Sequence, residues 1–279
     1  MSAATFAIEN SPRVRSEMTS EKLWRAYLTE TKYECLRALR APAFGIPFLL
    51  LPLVLYVLFG VLLAGSMSHG DATVAKIMFV NWSVFGIMGP GMFGFGMFVA
   101  MEREQGLLTL KRALPAPSGV YLLSKMIMAT LFAAVVMATL VGAAVVVGHP
   151  KLTVGQYLGV ALLDMLGSLP FCAVGLFIGT RASAKSAPAF ANLAYLPFMH
   201  LGGLFYPLPH SVQPLEFISP AFYLDKLALR LVGAPSLDQL ASGAMGPSSH
   251  GTPILQVTVL AAVTLIFTAL AVRRLARVG

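Results

Sequence analysis

Phe48 to Gly65 read F-L-L-L-P-L-V-L-Y-V-L-F-G-V-L-L-A-G, and no charged side chain interrupts the chain from Ala41 to Met67. About 20 such residues cross the hydrocarbon core of a bilayer as one helix. Five further stretches repeat the pattern on the C-terminal side: Ile77 to Met101, Met126 to Gly148, Tyr157 to Thr180 with Asp164 inside it, Ala187 to Tyr206, and Ile254 to Val272. The expectation is an all-α integral membrane protein with six transmembrane helices. Composition agrees. The chain has 279 residues, 57% hydrophobic and 11% charged, where soluble domains carry about 25% charge. That excludes a soluble globular fold and also intrinsic disorder, which needs low hydrophobicity and high charge.

Lys and Arg set the expected orientation. Residues 1–40, the second-to-third and fourth-to-fifth connections and the tail after Val272 together hold 16 of them. The remaining connections hold four: Lys76, Lys151, Lys226 and Arg230. Both termini are therefore expected in the cytoplasm of a multi-pass protein of the inner cell membrane. The net charge of +8 is read as this bias and not as a nucleic-acid footprint. Residues 1–40 hold twelve charges and no apolar core, so no cleavable signal is expected there. Cys35 and Cys172 are too few for a disulfide framework or a metal set.

Residues 1–40 are expected to be a cytoplasmic segment carrying an amphipathic helix over 20–40. Leu23, Trp24, Tyr27, Leu28, Cys35 and Leu39 fall on one stripe, opposite Lys22, Arg25, Arg37 and Arg40. Such a helix lies in the membrane interface, as a plain anchor or as a lever on a partner. Residues 41–272 form the six-span domain, and 273–279 a cytoplasmic tail. Between spans two and three, Met101 to Lys125 read M-E-R-E-Q-G-L-L-T-L-K-R-A-L-P-A-P-S-G-V-Y-L-L-S-K. Gly106 can turn the chain, Leu107 to Leu114 spell a short leucine-faced helix, and Pro115 and Pro117 end it. Residues 207–253 lie outside. Their first half reads as a helical hairpin dipping into the outer leaflet, with Ser219 capping Ala221 to Leu231 and with Asp225 and Arg230 on its polar face. Their second half, 233–253, reads as a flexible loop. The second span interleaves Gly86, Gly89, Gly91, Gly94 and Gly96 with Met and aromatic residues. Close helix packing and a site for bulky apolar ligands both fit that texture.

These segments resemble a family. E-R-E-Q-G-L-L-x-L-x-R-A-L-P-x-P-S-x-x-Y-L-L-S-K, then G-G-L-F-Y-P-L and I-S-P-A-F-Y-L-D-K-L before the last span, are similar to the loop and closing signature of type-2 ATP-binding-cassette export permeases. The resemblance implies a permease paired with a second copy of itself or a homologous permease, above two cytoplasmic ATPase subunits carrying ATP and Mg. It implies a coupling helix at Glu102 to Leu114, with Glu102, Arg103, Glu104, Gly106, Leu107, Leu110 and Leu114 meeting the ATPase. It implies a connecting helix containing Trp24, Tyr27 and Leu28. Spans two and five would line the path, with Phe85, Met88, Met92, Phe95, Asn192, Tyr195 and Met199 as candidate substrate contacts. An apolar wall with few hydrogen-bonding groups suits an amphipathic or hydrophobic cargo such as a drug, antibiotic or lipid-like compound.

No enzyme chemistry is expected in this chain. A phosphate-binding loop needs G-K-[ST] at its end, and none of the eight Lys follows a Gly. His69, His149, His200, His210 and His250 are scattered and form no catalytic or metal-binding set. The rival reading is an ion-coupled transporter or channel built on Asp164, the one charge expected inside a span.

Overall fold

The computed structural model describes residues 28–29, 31–33, 42–68, 71–107, 118–209, 211–243 and 251–278. Among them there are helices and turns and no strand. Helix α1 runs Pro42–Leu55, passes through the wide π-type turns of Tyr56–Leu63 and ends as Ala64–Met67. Helix α2 runs Ala72–Gly89, widens at Pro90–Gly94 and continues as Phe95–Glu104. Helix α3 is Ser118–Ala143 with a last wide turn at Ala144–Gly148, and α4 is Val154–Arg181. Helix α5 is Ala187–Leu201. A 3-10 turn, Gln213–Ile218, precedes α6, Pro220–Val232; α7 is Leu237–Ala241 and α8 is Pro253–Val278.

Local chemistry explains several of these boundaries. Asp71 accepts a hydrogen bond from Thr73 N at the start of α2. Thr153 and Gln156 form a reciprocal capping box at the start of α4, and Ser236 and Gln239 do the same for α7. Pro90 lacks an N–H, so α2 cannot stay regular there and opens into its wide turn.

Five helices are long and apolar enough to cross a membrane by length and composition. The segment read as the fifth span, Ala187 to Tyr206, holds α5, of 15 residues, about 22 Å at 1.5 Å per residue. It falls short because Gly202 and Gly203 turn the chain, with Gly203 at φ +67°. Helices α2, α3, α4 and α8 run past the apolar stretches expected of them. Helix α3 begins at Ser118, seven residues before Lys125, and α8 runs past Arg273 and Arg274. The region 233–253 contains α7 and is not a plain loop. The two short helices expected after the fifth apolar stretch are present. Ser219 does not cap α6; its hydroxyl donates to the Phe198 carbonyl at 2.6 Å and ties α6 to α5. The amphipathic helix expected over 20–40 lies mostly outside the described residues; residues 28–29 and 31–33 are helical, with Leu28 exposed.

Helix α4 is the centre of the bundle and packs against α8, α2, α3 and α6. Glycine sets the closest contacts. A Cβ on Gly96 of α2 would strike the Gly175 carbonyl of α4, and one on Gly179 would strike the Gly96 carbonyl. On the other flank, Leu224 of α6 seats against Gly167. With little hydrophobic drive between helices in lipid, such backbone approach supplies dispersion contacts. The glycines of the second apolar stretch thus serve helix packing.

Candidate functional site

An aromatic cavity lies between α1, α2 and the end of α5. Phe59 stacks on Trp82 with ring centroids 6.1 Å apart, and Trp82 meets Phe205 at 4.8 Å. Phe85 meets Phe205 at 5.5 Å and Tyr195 at 6.0 Å. Phe59, Trp82, Phe85 and Phe205 line a cavity of about 490 Å³ whose wall also includes Leu55 and Met199. That volume falls in the range of small-molecule sites, and its side chains offer dispersion with few hydrogen bonds.

Of the candidate path residues, Phe85 and Met199 line this cavity and Tyr195 packs behind Phe85. Asn192 is exposed on α5. Met88 and Met92 do not line this cavity. Both are fully buried inside the bundle, because the Gly-rich face of α2 that carries Met92 is pressed onto α4. Phe95 belongs to α2, and its side chain lies outside the described residues. Phe59 and Phe205 were not singled out from sequence. One lies on α1, and the other in the turn after α5, which only the fold brings to α2.

At the opposite end of α2, Glu102, Arg103 and Glu104 form a bracket within the chain. Glu102 is fully buried. Its carboxylate accepts from the Tyr121 hydroxyl at 2.6 Å and faces the Lys125 ammonium at 2.8 Å. Arg103 donates to the Thr180 carbonyl and, at 2.6 Å, to the Ala182 carbonyl. It satisfies carbonyls that the end of α4 leaves open. Glu104 accepts from Ala184 N at 2.8 Å. Glu102 was expected to meet an ATPase subunit; within the chain its side chain is buried against Tyr121 and Lys125. Gly106 takes φ +71°, the turn expected of it, and Leu107 is half-buried. Leu110 and Leu114, like Trp24 and Tyr27, lie outside the described residues.

A second polar group sits under α6. Asp164 of α4 is fully buried and neither carboxylate oxygen has a hydrogen-bond partner. It lies against Ser83, whose hydroxyl is donated to the Val80 carbonyl, and within electrostatic reach of Asp225. Asp225, expected on a polar face, is buried with Lys226, Nζ to Oδ2 3.2 Å. Burial raises the Asp225 carboxyl to about 6, with Lys226 opposing. Burial and the nearby Asp238 raise Glu216 to about 7, again against Lys226. Asp238 accepts from Leu208 N at 3.1 Å, which ties α7 to the turn after α5. Among the described residues, no three His, Cys, Asp or Glu are grouped to hold a metal ion.

Residues 25–228 match the family model described as "ABC-2 type transporter". The chain is also 24% identical over 208 residues to the Bacillus subtilis (strain 168) protein named "Putative transport permease YvfS"; the match covers 73% of this chain and 84% of that protein. The family match spans α1 to α6 and so takes in the polar bracket, the aromatic cavity and most of the group under α6. This chain belongs to the ABC-2 type transporter family and is a multi-pass membrane permease of it.

Proposed function

We propose that the protein is the permease of an ATP-driven exporter moving an amphipathic or hydrophobic compound out of the cell, with ATP and Mg bound and hydrolysed on a separate ATPase subunit. Two copies, or this chain and a homologous permease, enclose the path. Both termini and the Glu102 end of α2 face the cytoplasm. The observation that carries the cargo class is the aromatic cavity of about 490 Å³ with Phe85 and Met199 in its wall. The polar bracket supports a mechanical role for the α2 end. Arg103 and Glu104 join it to the α4–α5 turn, so force applied by an ATPase at residues 105–117 reaches two spans at once. Leu107, Leu110 and Leu114 are the proposed contacts in that segment, and Trp24, Tyr27 and Leu28 belong to a lever beside it.

The test is the ATPase activity of the reconstituted permease–ATPase complex against a series of hydrophobic compounds. Phe85→Ala and Met199→Ala should raise the concentration needed for stimulation about tenfold while basal hydrolysis stays unchanged, since removing a buried ring from a binding site costs over about 1 kcal/mol. Stimulation by a polysaccharide alone, or no change in either variant, contradicts the cargo reading. A second reading, ion coupling through Asp164, is favoured by the burial of that carboxylate without hydrogen-bond partners. Asp164→Asn transport that loses its dependence on an ion gradient would support it.

A further inference from the structure

The turn from α3 to α4 has a backbone unlike any other described part of the chain. His149 at φ +43° and Lys151 at φ +52° are the non-glycine residues with left-handed backbone, and Pro150 lies between them. Side-chain residues adopt that region at a cost, and such positions cluster where a site needs them. Here the effect is convergence. His149, Lys151 and Tyr157 line one pocket of about 290 Å³ together with Val145 and Leu152. Neither His149 nor Lys151 forms an ion pair among the described residues, and both are exposed. Tyr56 is linked to the pocket residue Tyr157 through Phe79. Its ring meets Phe79 edge-on, Phe79 in turn meets Tyr157 at 5.5 Å, and the Tyr56 hydroxyl occupies the space a Cβ on Gly148 would need.

We propose that this pocket binds the phosphate-bearing headgroup of a membrane phospholipid, in the leaflet opposite the Glu102–Lys125 end. The ammonium and imidazole supply donors to a phosphate. The turn joins two membrane-spanning helices, so the pocket sits at headgroup depth. On the adjoining ends of α3 and α4, Val146, Val154 and Leu158 are exposed and offer apolar surface to acyl chains. A cationic rim over an apolar flank matches a lipid and not a free anion. Lys151 is also one of only four Lys or Arg outside the four Lys/Arg-rich segments. The site does not depend on the cargo reading.

The experiment is native mass spectrometry of the full-length protein in nonionic detergent, titrated separately with phosphatidylglycerol, the matching diacylglycerol and inorganic phosphate. Wild type should take up phosphatidylglycerol and not diacylglycerol. His149→Gln/Lys151→Gln should bind it at least about tenfold more weakly, the loss expected for charge-assisted hydrogen bonds. Lys151→Arg should retain binding, and Lys76→Gln, which alters a lysine on the same side, should match wild type. Equal binding by the double variant, an equal loss in Lys76→Gln, uptake of diacylglycerol, or binding of phosphate without the lipid each overturns the proposal. Unchanged melting temperatures of the variants tie the loss to the site.

Discussion

Glu102→Gln takes away the carboxylate that the buried Lys125 ammonium faces at 2.8 Å. Breaking a buried ion pair from one side costs about 3–5 kcal/mol, whereas removing both charges is far milder. Glu102→Gln should therefore lower the melting temperature of the purified protein, and Glu102→Gln/Lys125→Met should regain most of it. If the single and double variants melt alike, the pair has no structural role. Glycine gives a matched contrast. A Cβ at Gly179 would meet the Gly96 carbonyl, while one at Gly142 meets nothing within 4 Å. Gly179→Ala should cost about 1–3 kcal/mol through overpacking against backbone. Gly142→Ala should gain up to about 1 kcal/mol from helix propensity. The same thermal melts read both. Helical apolar runs of this kind are plain in a sequence, but these contacts are not. G-L-F-I-G at Gly175 to Gly179 is a small-residue spacing whose partner, Gly96, lies nearly 80 residues away.

At the scale of elements, α6 and the 3-10 turn before it bury two acids whose carboxyls are raised: Glu216 to about 7 and Asp225 to about 6. A raised acid binds more protons folded than unfolded. Its contribution is favourable below the unfolded value and is lost as pH rises through the folded one. Stability of this region should thus fall between about pH 4.5 and pH 7, and Glu216→Gln should flatten the fall. Thermal unfolding near pH 5 and near pH 8 checks this; a wild type no less stable at the higher pH contradicts it. The presence of two short helices here was legible, because Pro214 and Pro220 punctuate apolar runs. Their burial was not. An Asp–Lys pair one turn from an amphipathic face reads as solvated until a second element, here α7 with Asp238, closes over it. The short α5 was likewise hidden, since its apolar run continues in sequence after Gly203 has turned the backbone.

At the scale of the whole molecule, the bundle has a polar bracket at one end of α2 and an aromatic cavity toward the other, joined by a helix that Pro90 interrupts. Apolar spacing revealed the long helices and the interruption at Pro90, because membrane helices declare themselves by length, but not that Glu102, Arg103 and Glu104 bond within the chain. The cavity was not legible in the sequence, since its wall comes from α1, α2 and the turn after α5. The measurement that tests the account most directly is uptake of a hydrophobic fluorescent compound into sealed vesicles holding the permease, with and without its ATPase subunit. The account predicts accumulation that requires the ATPase subunit, Mg and ATP together and that survives collapse of ion gradients. Accumulation by the permease alone, driven by an imposed ion gradient and lost in Asp164→Asn, would contradict it.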